Sequence, residues 1–282
     1  MSDIQVEIDG AVGVLTIARR ARMNSLDVTT ARDLRKAGLT LTRDRAVRAI
    51  VVRGDGGVFC TGADLKYIRA GGAADDLDYL KAGGGPPRTG GHGAIFKQIL
   101  EYLHATISEL RRAPKPVIAA VDGPAAAGGF GLALACDLVL ASERASFEWA
   151  YFKTGLSGAE STTFFLPQLV GLRKALELAY LSPRLTARAA LELGLITAVH
   201  PDGTVDAEAR ALATRLAAGP TEAMAVAKSL MSAAAGADRL SVHLDRELEE
   251  LARIADGADF AEGLDAFFAK RPPAFPGPTG GR

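Results

Sequence analysis

Hydrophobic and polar residues alternate at the start of the chain. Ile4, Val6 and Ile8 face one way, Gly10 and Ala11 form a turn, and Val12-Gly13-Val14-Leu15-Thr16-Ile17 continues extended. A period of two interrupted by a two-residue turn predicts a β-hairpin. The period then lengthens. Capping residues between Asn24 and Asp27 open a helix over about 28–45. A short β-branched run at 49–52 predicts a buried strand, and Asp64 caps a short helix that runs through Ile68. Phe96, Leu100, Leu103, Ile107 and Leu110 recur at helical spacing until Pro114 and Pro116 stop the helix. Val117-Ile118-Ala119-Ala120-Val121 is a second buried strand and 138–140 a third.

Strands alternating with helices predict an α/β fold with parallel pairing. Past Pro201 the strands stop, and helical patterns cover about 207–218, 222–234, 239–254 and 260–270. The chain therefore divides into a core over 1–201 and a helical C-terminal part over 202–282 with a Pro/Gly-rich tail. The apolar stripe Leu244, Leu248, Leu251 and Ile254 exceeds what a small lobe buries alone, which places these helices at subunit contacts. The segment 71–93 carries Gly83-Gly84-Gly85-Pro86-Pro87 and Gly90-Gly91 and is expected to be mobile.

Composition narrows the function. With 282 residues and 48% hydrophobic side chains, the chain can bury a sizeable core. Lys plus Arg equals Asp plus Glu, 33 each, so no global field draws in nucleic acid or an anionic membrane. Cys60 and Cys136 are too few for a disulfide framework or a thiolate metal site. The first residues carry Asp3, Glu7 and Asp9 and lack the pattern of a leader peptide. The most apolar region, 122–137, is too short to span a bilayer. A cytoplasmic location is expected.

Several familiar motifs fail. Gly129-Phe130-Gly131 begins a dinucleotide fingerprint, but Leu134 stands at its third glycine. Gly57 and Gly62 have the spacing of a phosphate loop, but Ala63 occupies the place of its lysine. Gly155-Leu156-Ser157-Gly158-Ala159 misses the last glycine of a nucleophile elbow. His92, His104, His200 and His243 show no metal-ligand spacing. No metal is expected.

Two glycine-containing segments remain, each following a short strand: Phe59-Cys60-Thr61-Gly62-Ala63-Asp64-Leu65, and Asp122 through Gly131 leading into an apolar helix. Both put backbone N–H groups at a helix start, where intrahelical partners are missing. Such groups can converge on one oxygen as an oxyanion hole. Close helix–strand packing would demand the same small residues.

These runs, together with the segment from Gly155 to Gly171 and Phe267-Phe268-Ala269-Lys270-Arg271-Pro272, resemble the crotonase superfamily, the enoyl-CoA hydratase/isomerase family. The resemblance extends from Val6 to Phe275. It implies a spiral of ββα units with a C-terminal helical domain, a homotrimer or hexamer, and an acyl-CoA substrate. It implies no tightly bound cofactor, coenzyme A being part of the substrate. It assigns the oxyanion donors to Ala63 and Gly128. It places Arg22, Met23 and Asn24 in a loop at the nucleotide part of coenzyme A, and Lys270 and Arg271 near its phosphates.

The chain departs from the family's hydratases, which hold water between two glutamates. Those positions fall on Gly131 and Tyr151. The position of an aspartate used by some isomerases and by aryl-CoA dehalogenases falls on Ala159, with Glu160 next to it. The segment 153–160 is most similar to the ring-epoxide isomerase and dehalogenase branches. Two groups can move a proton. His104 lies on the inward face of its helix and aligns with an active-site histidine of the dehalogenases. Glu160 is one residue from the expected acid, with helix capping as its other reading. Tyr151 is a candidate pocket residue, with Phe147, Trp149 and Phe152 alternating beside it on a presumed strand. The expected reaction is isomerisation of an unsaturated, cyclic or aryl acyl-CoA, not syn-hydration. Hydrolysis by His104-activated water and a non-catalytic CoA-binding role are the alternatives.

Overall fold

The computed structural model describes residues 2–73 and 91–277. Of the segment expected to be mobile, 71–93, residues 74–90 lie outside them, as do the last residues of the tail, 278–282, whereas His92 and Gly93 begin a helix. Strands β1 (Ile4–Asp9) and β2 (Val12–Ile17) form the expected hairpin, with Asp9 opposite Val12. The alternation of β1 does not point into the core, however: of its residues only Ile4 is buried, because β1 is the sheet edge.

Helix α1 (Val28–Arg43) starts where Asp27 accepts the Thr30 N–H at 2.8 Å. Strand β3 (Ala49–Gly54) leads to α2 (Leu65–Arg69), capped by Asp64. Helix α3 (His92–Arg112) presents Phe96, Leu100, Leu103, Ile107 and Leu110 inward, as their spacing predicts. Then follow β4 (Val117–Val121), β5 (Pro124–Ala126), α4 (Gly128–Leu134), β6 (Leu138–Ser142), β7 (Ser146–Glu148), α5 (Thr162–Val170), α6 (Leu172–Leu181), β8 (Leu185–Thr186), α7 (Ala187–Glu192) and β9 (Ala198–His200). Four more helices complete the described chain: α8 (Val205–Ala217), α9 (Thr221–Ala234), α10 (Leu240–Ala255) and α11 (Ala258–Ala269).

The main sheet has the order β1-β2-β3-β4-β6-β9, and every pairing beyond the hairpin is parallel. A second, smaller sheet runs β5-β7-β8. Parallel bridges from Cys60 to Ala125 and from Leu26 to Ala63 extend this inner layer. Successive passes of the chain thus make one strand in the main sheet, one short extended segment in the inner layer, then a helix. This is the ββα spiral of the crotonase fold.

The end of the strands does not separate two cores. Val205, Ala209, Ala213 and Ala217 of α8 pack with Val14, Val51 and Ile118 on one face of the main sheet. The stripe on α10 is spent inside the subunit: α10 lies on α3, with Leu244 and Leu251 buried and Leu248 and Ile254 packed against the core. Full burial of such side chains contributes about 1.5–3 kcal/mol each. The exposed apolar residues sit elsewhere, with Leu172, Tyr180 and Leu181 on α6 and Leu230 and Met231 on α9. Among the described residues no helix is long and apolar enough to cross a membrane.

Candidate active site

The turns after β3 and β4 meet where the inner layer begins. Gly62 has φ +80°, and a Cβ there would stand 2.8 Å from the Gly128 nitrogen. A Cβ on Gly129 would land on the Cys60 carbonyl oxygen. Glycine at these positions lets two backbone segments touch. The N–H groups of Ala63 and Gly128 have no acceptor among the described residues, and Ala63 lines a cavity of about 490 Å³. Ala127, immediately before Gly128, holds φ 47°, a strained conformation for a side-chain-bearing residue.

Three carboxylates line this cavity: Asp64, Glu148 and Glu160. Asp64 is held by Arg19 and by both arms of Arg22, and Glu148 by Lys153 and Arg184. Glu160 has no cationic partner; its carboxylate accepts a short hydrogen bond from the one hydrogen of the Tyr151 hydroxyl, whose oxygen also lies 3.0 Å from the Ala159 carbonyl oxygen. A Cβ on Gly128 would be 2.9 Å from the Glu160 carboxyl carbon, so the acid stands beside the Gly128 backbone. Burial pushes the Glu160 carboxyl up to about 8. The Tyr151 hydrogen bond opposes the rise and the negative charge of Glu247 adds to it. Burial, then the adjacent Glu160, also hold the Tyr151 hydroxyl well above the usual phenol range.

Glu160 does not cap a helix. Ser161 is the N-cap residue of α5 and makes no side-chain capping bond, while Glu160 turns back into the cavity. This direction comes from the backbone: Glu160 and Ser161 are consecutive left-handed residues, with φ 52° and 64°.

His104 faces inward, as its helical phase predicts, but does not line the cavity. Its Nε2 accepts the Glu160 N–H at 3.2 Å, so that lone pair is occupied. Burial drives the imidazole down to about 4, against the opposing charges of Glu247 and Asp245 and a backbone bond to Leu244. His104, expected from the sequence to take a substrate proton or activate water, thus stands behind the Glu160 turn and not on the cavity wall.

Asn24 is corrected as well. It is fully buried, accepts the Arg19 N–H and donates to the Asp55 and Val58 carbonyls, so its amide ties the loop together instead of facing a nucleotide. Arg22 and Met23 do line the cavity. Lys270 and Arg271 do not; Arg271 pairs with Glu262, and the neighbouring Phe267 and Phe268 line the cavity in their place. Tyr151 begins a 3₁₀ turn, Tyr151–Thr154, so the aromatic residues around it do not alternate as on a strand. Trp149 packs edge-on against Tyr151, Phe152 stacks on Tyr180, and Phe147 packs against Phe130. His92 packs edge-on against Phe260.

Sequence reasoning missed Phe96 and Leu156 as wall residues and Lys153 and Arg184 at the polar rim. The helical period marks Phe96 as buried but cannot tell core from cavity wall. At position 131 a side chain has no room: a Cβ would lie on the Glu160 carbonyl oxygen and 2.6 Å from Thr162 Oγ1. The turn that carries Glu160 fills the place where a hydratase would hold its first glutamate. No group of residues suited to a metal ion occurs among the described residues.

Comparisons with known proteins agree with this architecture. The family model for enoyl-CoA hydratase/isomerase matches residues 7–83 and 90–278. A probable enoyl-CoA hydratase of Rhodobacter capsulatus is 34% identical, covering 97% of this chain and 98% of its own. The 1,2-epoxyphenylacetyl-CoA isomerase of Escherichia coli is 32% identical over 98% of this chain and 99% of its own. A crystal structure of an enoyl-CoA hydratase from Mycobacterium avium subsp. paratuberculosis superposes with a TM-score of 0.82 at 31% identity, covering 97% of this chain and 98% of that one. The chain belongs to the enoyl-CoA hydratase/isomerase family, within the crotonase superfamily.

Proposed function

We propose that the protein isomerises an unsaturated acyl-CoA by a proton shift through an enolate, with Glu160 as the single acid–base group. The observation that carries this reading is that Glu160 alone among the three lining carboxylates is free of a cation, and it stands beside Gly128. The thioester oxygen is held by the N–H groups of Ala63 and Gly128. Glu160 takes a proton from the α-carbon, the electron pair moves onto that oxygen, and the double bond shifts as Glu160 returns the proton at the γ-carbon. A carboxyl poised near neutrality serves both halves of this exchange. Tyr151 donates to the carboxylate and fixes its orientation.

The acyl group is apolar or aromatic: Phe96, Tyr151, Leu156 and Phe268 supply the wall, and a relative named for an epoxyphenylacetyl-CoA supports an aryl or cyclic group. Arg22, Lys66, Lys153 and Arg184 make the rim basic, which suits the phosphates of coenzyme A. Coenzyme A enters as part of the substrate, and no other cofactor takes part. The exposed apolar residues of α6 and α9 support assembly as a homotrimer or hexamer.

The test is a panel of acyl-CoAs. Conversion of 3-enoyl-CoA to 2-enoyl-CoA, and exchange of the α-hydrogens of phenylacetyl-CoA for deuterium in D₂O, are expected. Binding of both without either reaction would establish a CoA-binding protein, and rapid hydration of crotonyl-CoA would overturn the site assignment.

A further inference from the structure

Helix α10 holds a buried carboxylate that packing does not need. Glu247 lies on the α10 face that meets α3, where Leu244 and Leu251 make an apolar seam, and it is buried like them. An isolated buried charge is unfavourable unless hydrogen bonds satisfy it. Its two hydrogen bonds go to the turn that carries Glu160 and to the first turn of α5, while His104 and His243 each stand 3.5 Å from its carboxylate. Glu247 Oε2 accepts the Ser161 N–H at 2.8 Å, and Oε1 accepts a short bond from the Thr163 hydroxyl. Having donated its one hydrogen to Glu247, that hydroxyl accepts from His243 Nε2 at 2.7 Å. One residue earlier, the Glu160 N–H is held by His104 of α3.

Two adjacent left-handed residues without glycine do not persist unaided; the surroundings must impose them. Here the imposed anchors are side chains of α3 and α10. We propose that Glu247 is a positioning residue for Glu160, holding with His104 the left-handed turn that aims the acid into the cavity. The inference rests on Glu160 as the acid–base group, and it makes the C-terminal helices part of the catalytic apparatus.

The groups facing this turn are Tyr151 and Cys60 from the core, His104 from α3, and Glu247 and His243 from α10, with Asp245 one residue removed from the turn's contacts. Burial keeps Cys60 protonated, pushed up to about 12. Glu247 is thus the negative charge that works against ionisation of Glu160.

The experiment follows deuterium exchange into phenylacetyl-CoA in wild type, Glu160→Gln, Glu247→Ala and Glu247→Gln, together with backbone amide exchange over 159–163. Glu247→Ala is expected to lower kcat by ~10-fold or more with KM within ~3-fold, since a misplaced catalytic group costs rate and not binding. Its amides at 159–163 exchange faster, while those of β4 do not change. Glu247→Gln still accepts the Ser161 N–H. It retains kcat within ~3-fold and moves the acidic limb of the pH profile to lower pH, because the opposing charge is gone.

Wild-type kcat and unchanged amide exchange in Glu247→Ala would overturn the proposal. If that variant fails to fold, an unshifted acidic limb in Glu247→Gln overturns it. If Glu160→Gln keeps full exchange, or the wild type shows none, the acid–base reading falls, and amide exchange over 159–163 in Glu247→Gln and Glu247→Ala still decides whether the turn is held from α10.

Discussion

The cavity has two walls built on different principles. One consists of the turns around Ala63 and Gly128, where the proposed reaction uses main-chain N–H groups and small side chains leave them accessible. The other is the corner formed by Tyr151, Leu156 and Glu160, which presents side chains, and there the main chain is bent to aim Glu160. The first wall is fixed by main-chain sterics: glycine at 62 and 129 is required because the backbone of the facing turn occupies the space of a Cβ, while a Cβ at 128 would meet the Glu160 side chain. The second is fixed by side chains of other elements, since the turn at Glu160 is held by His104 of α3 and Glu247 of α10. A wall of the first kind tolerates almost no substitution but stays in place when side chains change. A wall of the second kind accepts new chemistry and is lost when its supports are lost.

The largest effect should come from removing the acid while the backbone wall remains. Glu160→Gln is expected to lower isomerisation by ~10²–10⁴-fold with acyl-CoA affinity nearly unchanged, the range for loss of a general base. Kinetics and calorimetric binding together check this, and a parallel loss of affinity would mean that the two walls are not separable. Next, Gly131→Glu should fail to create hydratase activity on crotonyl-CoA and should lower isomerase activity, because a side chain at 131 meets the Glu160 carbonyl and displaces the turn.

His104→Gln retains an acceptor for the Glu160 N–H, and its turnover should fall by less than ~10-fold. The acidic limb of its pH profile should stay with Glu160, at about 8, and not follow the imidazole at about 4. A lost limb or a loss of ~10²-fold would return the proton transfer to the histidine.

The smallest effects concern stability. The His104 proton affinity is depressed on folding, from 6.5 to about 4, so the folded state binds fewer protons and loses stability as pH falls through this window. His104→Gln should therefore gain on the wild type between pH 6.5 and 4, by on the order of 1 kcal/mol. Glu160 is shifted the other way, from 4.5 to about 8, so its protonated form is favoured on folding and stability is lost as pH rises. Glu160→Gln should gain on the wild type from pH 4.5 to 8 by a similar amount, on the order of 1 kcal/mol. Thermal melts across pH check both signs.

The same division explains what could be read before the structure. The hairpin, the parallel strands 49–54 and 117–121 and the helix through Phe96 and Leu110 follow from hydrophobic period, which acts over a few residues. The glycine turns were legible for the same reason. The inward phase of His104 was legible too, but its role was not, because nothing local shows that the Glu160 N–H occupies its Nε2. Adjacency to Ala159 left Glu160 between acid and helix cap; the consecutive left-handed residues turn it into the cavity, and neither is a glycine that would announce it. Strand β7, at three residues, is too short to carry a period, and so Tyr151 was placed on a strand that has already ended. The stripe on α10 looked surplus because its partner, α3, lies some 140 residues earlier in the chain.

The absence of room at position 131 also sets a limit on this protein's history. The glycine codons GGA and GGG become glutamate codons by one nucleotide change, so from either of them the first half of a two-glutamate site is a single mutation away. In this backbone that mutation brings a collision in place of a new activity, and the turn from Ala159 to Thr162 must move before the new side chain can be accommodated. Moving it removes the present acid from the cavity. On the proposed role of Glu160, the two catalytic arrangements therefore compete for the same space, and a glutamate at 131 and the present turn exclude each other.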